Sequence, residues 1–271
     1  MELPTVTITT STSITAMNIN EIYFLILALI SAVATGLVGS FALMKRMTLA
    51  GDAFSHVALP GLGLGILFGI NPLLGGAATL VLGALIVWHL EKRSGLATET
   101  TIGVVFSASL AIGALITPSE DLIEALFGNF APLSLEHFLI GLTASFLIIL
   151  FILKFKDQLV IALFSPELAS SSGINLSRLN LLYLLIFTLT IILGLRFLGA
   201  LLVGSLIIIP AAASRQLTHQ LNSFLITSSL LSAASVAIGI FISRSYAVAF
   251  SPAVVSVSAV IFAASLLKKK R

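Results

Sequence analysis

The chain has 271 residues, of which 58% are hydrophobic and only 9% are charged, against about 25% charged residues in an average soluble domain. Its mean hydropathy of +1.15 excludes an ordinary soluble protein and predicts a chain that crosses a membrane several times. It has no cysteine, which excludes disulfides and thiolate metal ligands. The net charge of +3 comes from short basic clusters between apolar runs, a pattern typical of membrane topology rather than of nucleic-acid binding.

The predicted elements begin with a polar tail. Residues 1–20 contain no basic residue and so lack the n-region of a signal peptide. We expect a disordered extracytoplasmic tail, with Met1 or Met17 as the start. Residues 21–271 are predicted to form a single transmembrane domain, because no polar stretch is long enough for a second folded domain.

An all-α membrane bundle is the predicted fold class. Apolar runs of roughly 20 residues, the length that crosses a bilayer as a helix, predict about nine transmembrane helices. They lie at residues 22–44, 49–69, 72–90, 100–117, 135–153, 179–195, 197–217, 224–243 and 246–267. Only Arg196 separates the sixth span from the seventh, so eight spans is the alternative.

The basic residues predict the orientation, because Lys and Arg gather on the cytoplasmic side of a membrane. With nine spans and the N-terminus outside, 12 of the 14 basic residues fall in cytoplasmic segments, and only Arg196 and Arg244 fall outside. The C-terminus is then cytoplasmic. The outer side carries four acidic residues in its longest loop: Glu120, Asp121, Glu124 and Glu136. These carboxylates would concentrate cations or serve only as solvated loop residues.

The second span contains two residues that are rare at membrane depth. Asp52 and His56 lie four residues apart, so on a helix they share one face, about one turn apart. A carboxylate and an imidazole without thiolate suit Zn²⁺, Mn²⁺ or Fe²⁺. An ionised aspartate at membrane depth costs roughly 2.5 to 3.5 kcal/mol, so it needs a partner, water or a cation. The alternative is that Asp52 lies near the cytoplasmic interface, one turn after Lys45 and Arg46, and caps or pairs there. His56 would then only hydrogen-bond a neighbouring helix.

The surroundings of this pair favour a transport site. Pro60 interrupts the helical hydrogen-bond ladder, and Gly61, Gly65 and Gly69 repeat every fourth residue, which predicts close contact with other helices. Two ligands do not complete a metal site, since a metal takes about four donors. No second carboxylate at comparable depth is available in this chain. A twofold homodimer, in which the same pair arrives from each copy, is one solution.

A short cytoplasmic helix is predicted in LFSPELASSSGIN, residues 163–175. Its signals are Ser165 as N-cap, Pro166 at the first helical position, Glu167 in the first turn and Gly173 as the stop. A helix of about two turns is marginal alone in water, so it docks either on a partner or on its own subunit and the membrane surface. The chain has no G-x-x-x-x-G-K-[ST] stretch and so does not bind ATP by a P-loop. An ATP-driven pump would need a second subunit, with this helix as its docking point.

Other polar residues carry weaker expectations. Glu99 opens the fourth span, where capping is favoured over a gating role. His89, His137 and His219 lie near predicted span boundaries, where histidine is commonly interfacial, and none is proposed as a ligand. Pro210 is expected to bend the seventh span.

Four blocks of the sequence together resemble a known family. They are GLVGSFALMKRMTLAGDAFSHVALPGLGLG (residues 36–65), TETTIGVVFS (98–107), LFSPELASSSG (163–173) and FLGALLVGSLIIIPAAASR (197–215). In this order they resemble the membrane permeases of bacterial and archaeal ABC importers for zinc, manganese and iron. The D-x-x-S-H-x-x-L-P-G element is the specific part. The last outer turn, SRSYAVAFSPAVV, lacks the aspartate and glycine often found there, and nothing is carried over to it.

The resemblance implies a function and a set of partners. It implies a permease of the vitamin-B12-importer type that forms a homodimer in a prokaryotic cell membrane, with separate ATPase subunits inside and an extracytoplasmic metal-binding protein outside. Asp52 and His56 match the metal-path positions of the family. Six residues match the helix by which this family couples to its ATPase: Ser165, Pro166, Glu167, Leu168, Ala169 and Gly173. The chain is then no enzyme itself, and its metal, Zn²⁺ or Mn²⁺ and less readily Fe²⁺, is cargo rather than a resident cofactor.

Two other classes of protein compete with this interpretation. A stand-alone proton-coupled metal carrier would use the same Asp52 and His56 as a proton relay. An intramembrane enzyme fits poorly, because Ser55 and His56 are adjacent and point about 100° apart on a helix. The sequence has no H-E-x-x-H motif either.

Overall fold

A computed structural model of the chain describes residues 19–47, 49–116, 134–197 and 199–267. Within these ranges the chain is helical and has no strand, which confirms the predicted all-α bundle. The helices are α1 (Ile19–Met44), α2 (Ala50–Val57), α3 (Leu59–Leu67), α4 (Pro72–Ser94), α5 (Thr98–Ile116), α6 (Leu135–Phe164), α7 (Pro166–Ser171), α8 (Leu176–Phe197), α9 (Ala200–Leu217), α10 (Leu221–Tyr246) and α11 (Phe250–Leu266). The predicted tail up to residue 18, and Glu120, Asp121 and Glu124 of the predicted acidic loop, lie outside the described residues.

Six of these helices are long and apolar enough to cross a membrane, namely α1, α4, α5, α6, α8 and α10. Helices α9 and α11 are apolar but shorter. The second predicted span, residues 49–69, is two short helices rather than one. The proline at position 60 has no N–H to donate to the carbonyl of His56, and the Ala58 N–H bonds the Ser55 carbonyl three residues back at 3.4 Å. The chain therefore breaks at Ala58 and restarts as α3.

The sixth and seventh predicted spans are separate helices. Helix α8 ends at Phe197 and α9 begins at Ala200, and Gly199 between them has a φ of +84°. Its ψ is 154°, so this glycine is far from helical geometry and interrupts the helix. One continuous helix across Arg196 is therefore excluded.

Helix α1 lies at the centre of the bundle and packs against α6, α8, α9 and α10. Its small residues let the neighbouring backbones approach closely. A Cβ added at Gly36 would lie 2.8 Å from the carbonyl oxygen of Ser228 on α10. At the same contact the Ser228 hydroxyl donates to the Gly36 carbonyl at 2.8 Å. Close packing and a hydrogen bond thus hold α1 and α10 together.

Polar contacts mark the two ends of the bundle. At one end, Lys45 after α1 bonds Asn180 of α8, and Lys156 of α6 donates to Asn222 of α10 at 2.8 Å. We call this the basic end. At the opposite end, Arg244 pairs with Glu21 at 3.1 Å, and Arg196 with His137 at 2.9 Å. Arg196 and Arg244, the two basic residues predicted to lie outside, therefore share the opposite end.

Helix α6 is longer than the predicted fifth span, which ended at residue 153. It has 30 residues, or about 45 Å at 1.5 Å per residue, against a hydrocarbon core of about 30 Å. Lys154, Lys156 and Asp157 lie within the extension rather than after the helix. The extension carries α7 at the basic end of the bundle.

Candidate metal site

One face of helix α2 packs against neighbouring helices, and the opposite face carries the candidate site. Its buried residues are Ala50, Gly51, Phe54, Ser55 and Val57. The Phe54 ring meets Phe187 of α8 edge-on, with centroids 5.9 Å apart. A Cβ at Gly83 of α4 would lie 2.7 Å from the Val57 side chain. Packing from these helices fixes the rotation of α2, so its polar face has a defined direction.

Asp52 and His56 both lie on α2, and the four-residue spacing places them on one face. Asp52 is exposed in the single chain and His56 is half-buried. The His56 ring contacts Phe106 of α5, with centroids 5.7 Å apart at 52°. The Ser55 hydroxyl donates to the backbone carbonyl of Asp52 at 2.6 Å and so leaves the carboxylate free.

The competing structural role for this pair is supported in one respect: Asp52 lies in the first turn of α2, where a carboxylate complements the helix dipole. Its expected pairing near Lys45 is not seen, since Lys45 bonds Asn180. Within the described ranges the Asp52 carboxylate forms no ion pair and the His56 imidazole forms no hydrogen bond to another helix. Both groups are therefore available to an external ligand.

One copy of the chain supplies only part of a metal site. Among the described residues no group of three or more His, Cys, Asp or Glu side chains could hold a metal ion. The pair offers a carboxylate and an imidazole, and a metal takes about four donors. Further ligands have to come from another molecule or from water.

Two neighbours of the pair were not singled out from sequence. Gly204 of α9 lies against Asp52, and a Cβ added there would be 3.3 Å from the Asp52 backbone nitrogen and Cα. Phe106 forms one wall beside His56. Both lie in blocks that carry the family resemblance, which is the one sequence signal that pointed to them.

A polar network at the basic end was also missed. The Lys45 ammonium bonds Asn180 and lies 4.7 Å from the centre of the Tyr183 ring. Asn180 donates to Glu91 at 2.7 Å, and Glu91 accepts from Thr98 at 3.0 Å. Burial lowers the pKa of Lys45 to about 8, and the attraction of Glu91 opposes part of that shift. The network joins the ends of α1, α4, α5 and α8.

The short cytoplasmic helix is present as α7. Pro166 occupies its start, and Ser165 occupies the N-cap position, although its side chain forms no capping hydrogen bond. Gly173 has a φ of +78°, and the Ile174 N–H bonds the Ala169 carbonyl at 3.0 Å, as in a Schellman motif. Ala169 is buried, whereas Glu167 and Leu168 are exposed. Pro166 also borders a cavity of about 490 Å³ that Lys45 and Glu91 line.

The remaining polar residues lie near helix ends. Glu99 is in the first turn of α5, and His89 and His219 are exposed. Of the three repeated glycines, Gly61 and Gly65 pack against α4 and the residues before it. Gly69 does not, because it is a turn residue with a φ of +65° and nothing near its missing Cβ.

Comparison with known proteins decides the family. Residues 21–269 match the ABC 3 transport family. The chain belongs to the ABC 3 transport family. It is therefore the membrane-spanning kind of ABC transport subunit, which is not itself catalytic, and the resemblance seen in its sequence is confirmed.

Individual relatives cover nearly the whole chain. It is 32% identical to the manganese import system permease protein ScaB of Streptococcus gordonii, over 89% of this chain and 88% of the relative. It is 31% identical to the high-affinity zinc uptake system membrane protein ZnuB of Haemophilus influenzae, over 93% of this chain and 99% of the relative. Among solved structures, PsaBC from Streptococcus pneumoniae in complex with Fab superposes with a TM-score of 0.79 at 29% identity, covering 93% and 92% of the two chains.

Proposed function

We propose that this ABC 3 family chain is the permease subunit of an ATP-driven importer for Mn²⁺ or Zn²⁺, and that the ion passes Asp52 and His56. The observation that carries the proposal is the pair itself: an exposed carboxylate and a half-buried imidazole on one face of α2. Relatives named for manganese import and for zinc uptake support the cargo class. Oxygen and nitrogen donors suit both metals.

The second half of the site is proposed to come from a second copy. Each chain brings one carboxylate and one imidazole, so a twofold dimer brings two of each to the axis. The four donors would replace part of the water shell of the ion without closing a permanent site. Exchangeable coordination suits a cargo that must also leave.

The ion path is assigned to the α2 face rather than to the interior of one chain. At the opposite end a cavity of about 350 Å³ is lined by Arg196, and a guanidinium repels a cation from that entrance. Among the described residues, no Lys or Arg forms an ion pair with the Asp52 carboxylate on the α2 face. Electrostatics therefore favours the path that starts from the carboxylate.

Energy and delivery are proposed to come from other subunits. The sequence has no P-loop, so a cytoplasmic ATPase subunit would dock on the exposed residues of α7. The distribution of Lys and Arg supports an orientation with the basic end and the C-terminus in the cytoplasm and the N-terminus outside. A metal-binding protein would then deliver the ion at the opposite end.

The test measures uptake of radiolabelled manganese and zinc by cells that carry variants of this chain. Asp52→Asn and His56→Ala should each lower uptake at least about tenfold, because losing even an indirect partner of a metal ligand typically costs 10- to 100-fold in affinity. Asp157→Asn and His219→Ala are matched controls, since both residues are exposed and lie outside α2, and they should leave uptake unchanged. Normal uptake by the Asp52 and His56 variants would remove the site assignment.

Reconstitution separates the proposal from the proton-coupled alternative. In liposomes that contain the chain alone, a pH gradient should drive no metal transport. Transport should appear only when the ATPase subunit and ATP are added. Metal movement driven by the pH gradient alone would instead make the chain a carrier with Asp52 and His56 as its proton relay.

A further inference from the structure

A cavity that the proposed ion path does not use lies near the opposite end of the bundle. It has a volume of about 350 Å³ and lies between α3, α4, α6 and α8. Most of its lining is aliphatic, including Leu62, Leu80, Ile140 and Leu189. Ile140 is 59% exposed and Leu74, also on its edge, is 65% exposed. The cavity therefore opens sideways, toward the surface that a bilayer would cover.

Polar groups lie only at one rim of this cavity. Three lining residues have polar side chains, namely Asn71, His137 and Arg196. Arg196 belongs to the last turn of α8 and His137 to the first turns of α6. The rim is thus at the helix ends, where headgroups lie in a membrane, and the aliphatic walls extend inward from it.

The hydrogen bonds at the rim define its charge. The Arg196 guanidinium lies 2.9 Å from His137 Nε2, and the Ser134 hydroxyl lies 2.7 Å from His137 Nδ1. Arginine can only donate, so Nε2 accepts, and the imidazole is neutral with its proton on Nδ1. The rim therefore carries the single positive charge of Arg196. The adjacent carboxylate, Glu136, does not line the cavity.

That charge has no anionic partner within the part of the chain that the structure describes. Among these residues an ion pair joins Arg244 to Glu21 at the same end of the bundle. Arg196 instead donates a hydrogen bond to a neutral imidazole. A guanidinium has five N–H donors, and His137 accepts a hydrogen bond from one guanidinium nitrogen, Nη2. The remaining donors are free to bind an oxyanion, and phosphate is one of the oxyanions that arginine binds in a forked geometry.

We propose that this cavity binds an anionic phospholipid, with its phosphate at Arg196 and an acyl chain along the aliphatic walls. Charge complementarity selects an anionic headgroup over a zwitterionic one. A metal ion does not fit, because Arg196 repels it, and a soluble anion leaves the apolar walls uncovered. Basic pockets between membrane helices bind anionic headgroups by the same combination of contacts.

The test uses the full chain purified in detergent, with melting temperature and native mass spectrometry as readouts. Phosphatidylglycerol should raise the melting temperature by about 5 °C when it is near saturation, and a single tightly held copy should remain per chain in the spectrometer. Phosphatidylcholine should do neither. Arg196→Gln should remove the preference for phosphatidylglycerol, while the matched Arg244→Gln, at the same end but away from the cavity, should keep it.

Each other outcome overturns the proposal. Equal effects of the two lipids would remove the charge selection, and a preference that survives Arg196→Gln or is lost equally in Arg244→Gln would remove the site. Stabilisation by inorganic phosphate alone would replace the lipid with a soluble anion. If Arg196→Gln does not fold, Ala144→Leu, which fills the wall, decides: an unchanged phosphatidylglycerol preference in that variant overturns the acyl-chain assignment.

Discussion

Gly204 fixes how closely α9 approaches Asp52. A Cβ at this position would lie 3.3 Å from the Asp52 backbone and 3.4 Å from its Cβ. The contact is tight enough for an alanine to need a small shift, and a larger side chain would have to displace α2. Because Asp52 and His56 both lie on α2, such a displacement moves the whole candidate site.

A graded series at Gly204 tests this dependence. Gly204→Ala should keep most of the uptake, whereas Gly204→Leu, which overpacks the contact, should lower uptake about tenfold with both candidate ligands intact. Radiolabelled uptake, normalised to the amount of protein in the membrane, measures the effect. Full uptake by Gly204→Leu would show that the position of α2 does not matter for transport.

Helix α7 depends on its two ends for its shape. Pro166 starts it, Gly173 ends it in a left-handed conformation, and buried Ala169 holds it against the bundle. The outward face carries Leu168, which is 55% exposed. Phe164, the last residue of α6, is 74% exposed. Exposed apolar side chains at the basic end are suited to a protein partner.

A charge at Leu168 should therefore impair docking rather than folding. Leu168→Glu should keep its melting temperature but bind the ATPase subunit at least about tenfold more weakly, since a buried interface anchor typically contributes 2 kcal/mol or more. Leu96→Glu is the control, because Leu96 is 50% exposed at the same end but lies outside α7. Co-purification and ATPase assays measure both. An equal loss in the two variants, or no loss, contradicts the role of α7.

The Lys45 network gives the helix ends a pH dependence. The pKa of Lys45 is lowered from 10.5 to about 8 in the folded chain. Between those values the unfolded chain still binds the proton and the folded chain does not, so stability rises with pH across that window. The gain attributable to Lys45 is up to about 3 kcal/mol.

Thermal melts of the purified chain between pH 7 and pH 10 test this assignment. We compare Lys45→Met with Lys154→Met, a variant of an exposed lysine at the same end. The rise in stability should be absent from Lys45→Met and retained in Lys154→Met. The same rise in both variants would mean that another group titrates.

At the scale of the whole molecule, local signals predicted the elements and not their contacts. Hydropathy located the spans, and Pro60 predicted the break that separates α2 from α3. The end of α6 was not predicted, because Lys154 and Lys156 indicated an exit from the membrane at residue 153, whereas the helix continues for another three turns. Leaving the membrane and ending a helix are separate events.

The candidate site likewise has a part that the sequence predicted and a part that it did not. Four-residue spacing placed Asp52 and His56 together, because that relation is local. Gly204 lies beside Asp52 although the two are far apart in the sequence. Asn180 likewise bonds Lys45, 135 residues away, and Glu91, 89 residues away. Such contacts depend on how distant helices pack, which spacing along the chain does not determine. The proposed second copy of the site is further still from what local sequence encodes.

The central claim is that two chains share one ion between two Asp52–His56 pairs. Elemental analysis of the purified dimer after dialysis against Mn²⁺ or Zn²⁺ tests it most directly. We predict one bound ion for every two chains at equilibrium with the dialysis buffer, and its loss in Asp52→Asn and His56→Ala although both variants still elute as dimers. A full ion on every chain, or binding that is unchanged in these variants, would contradict the account.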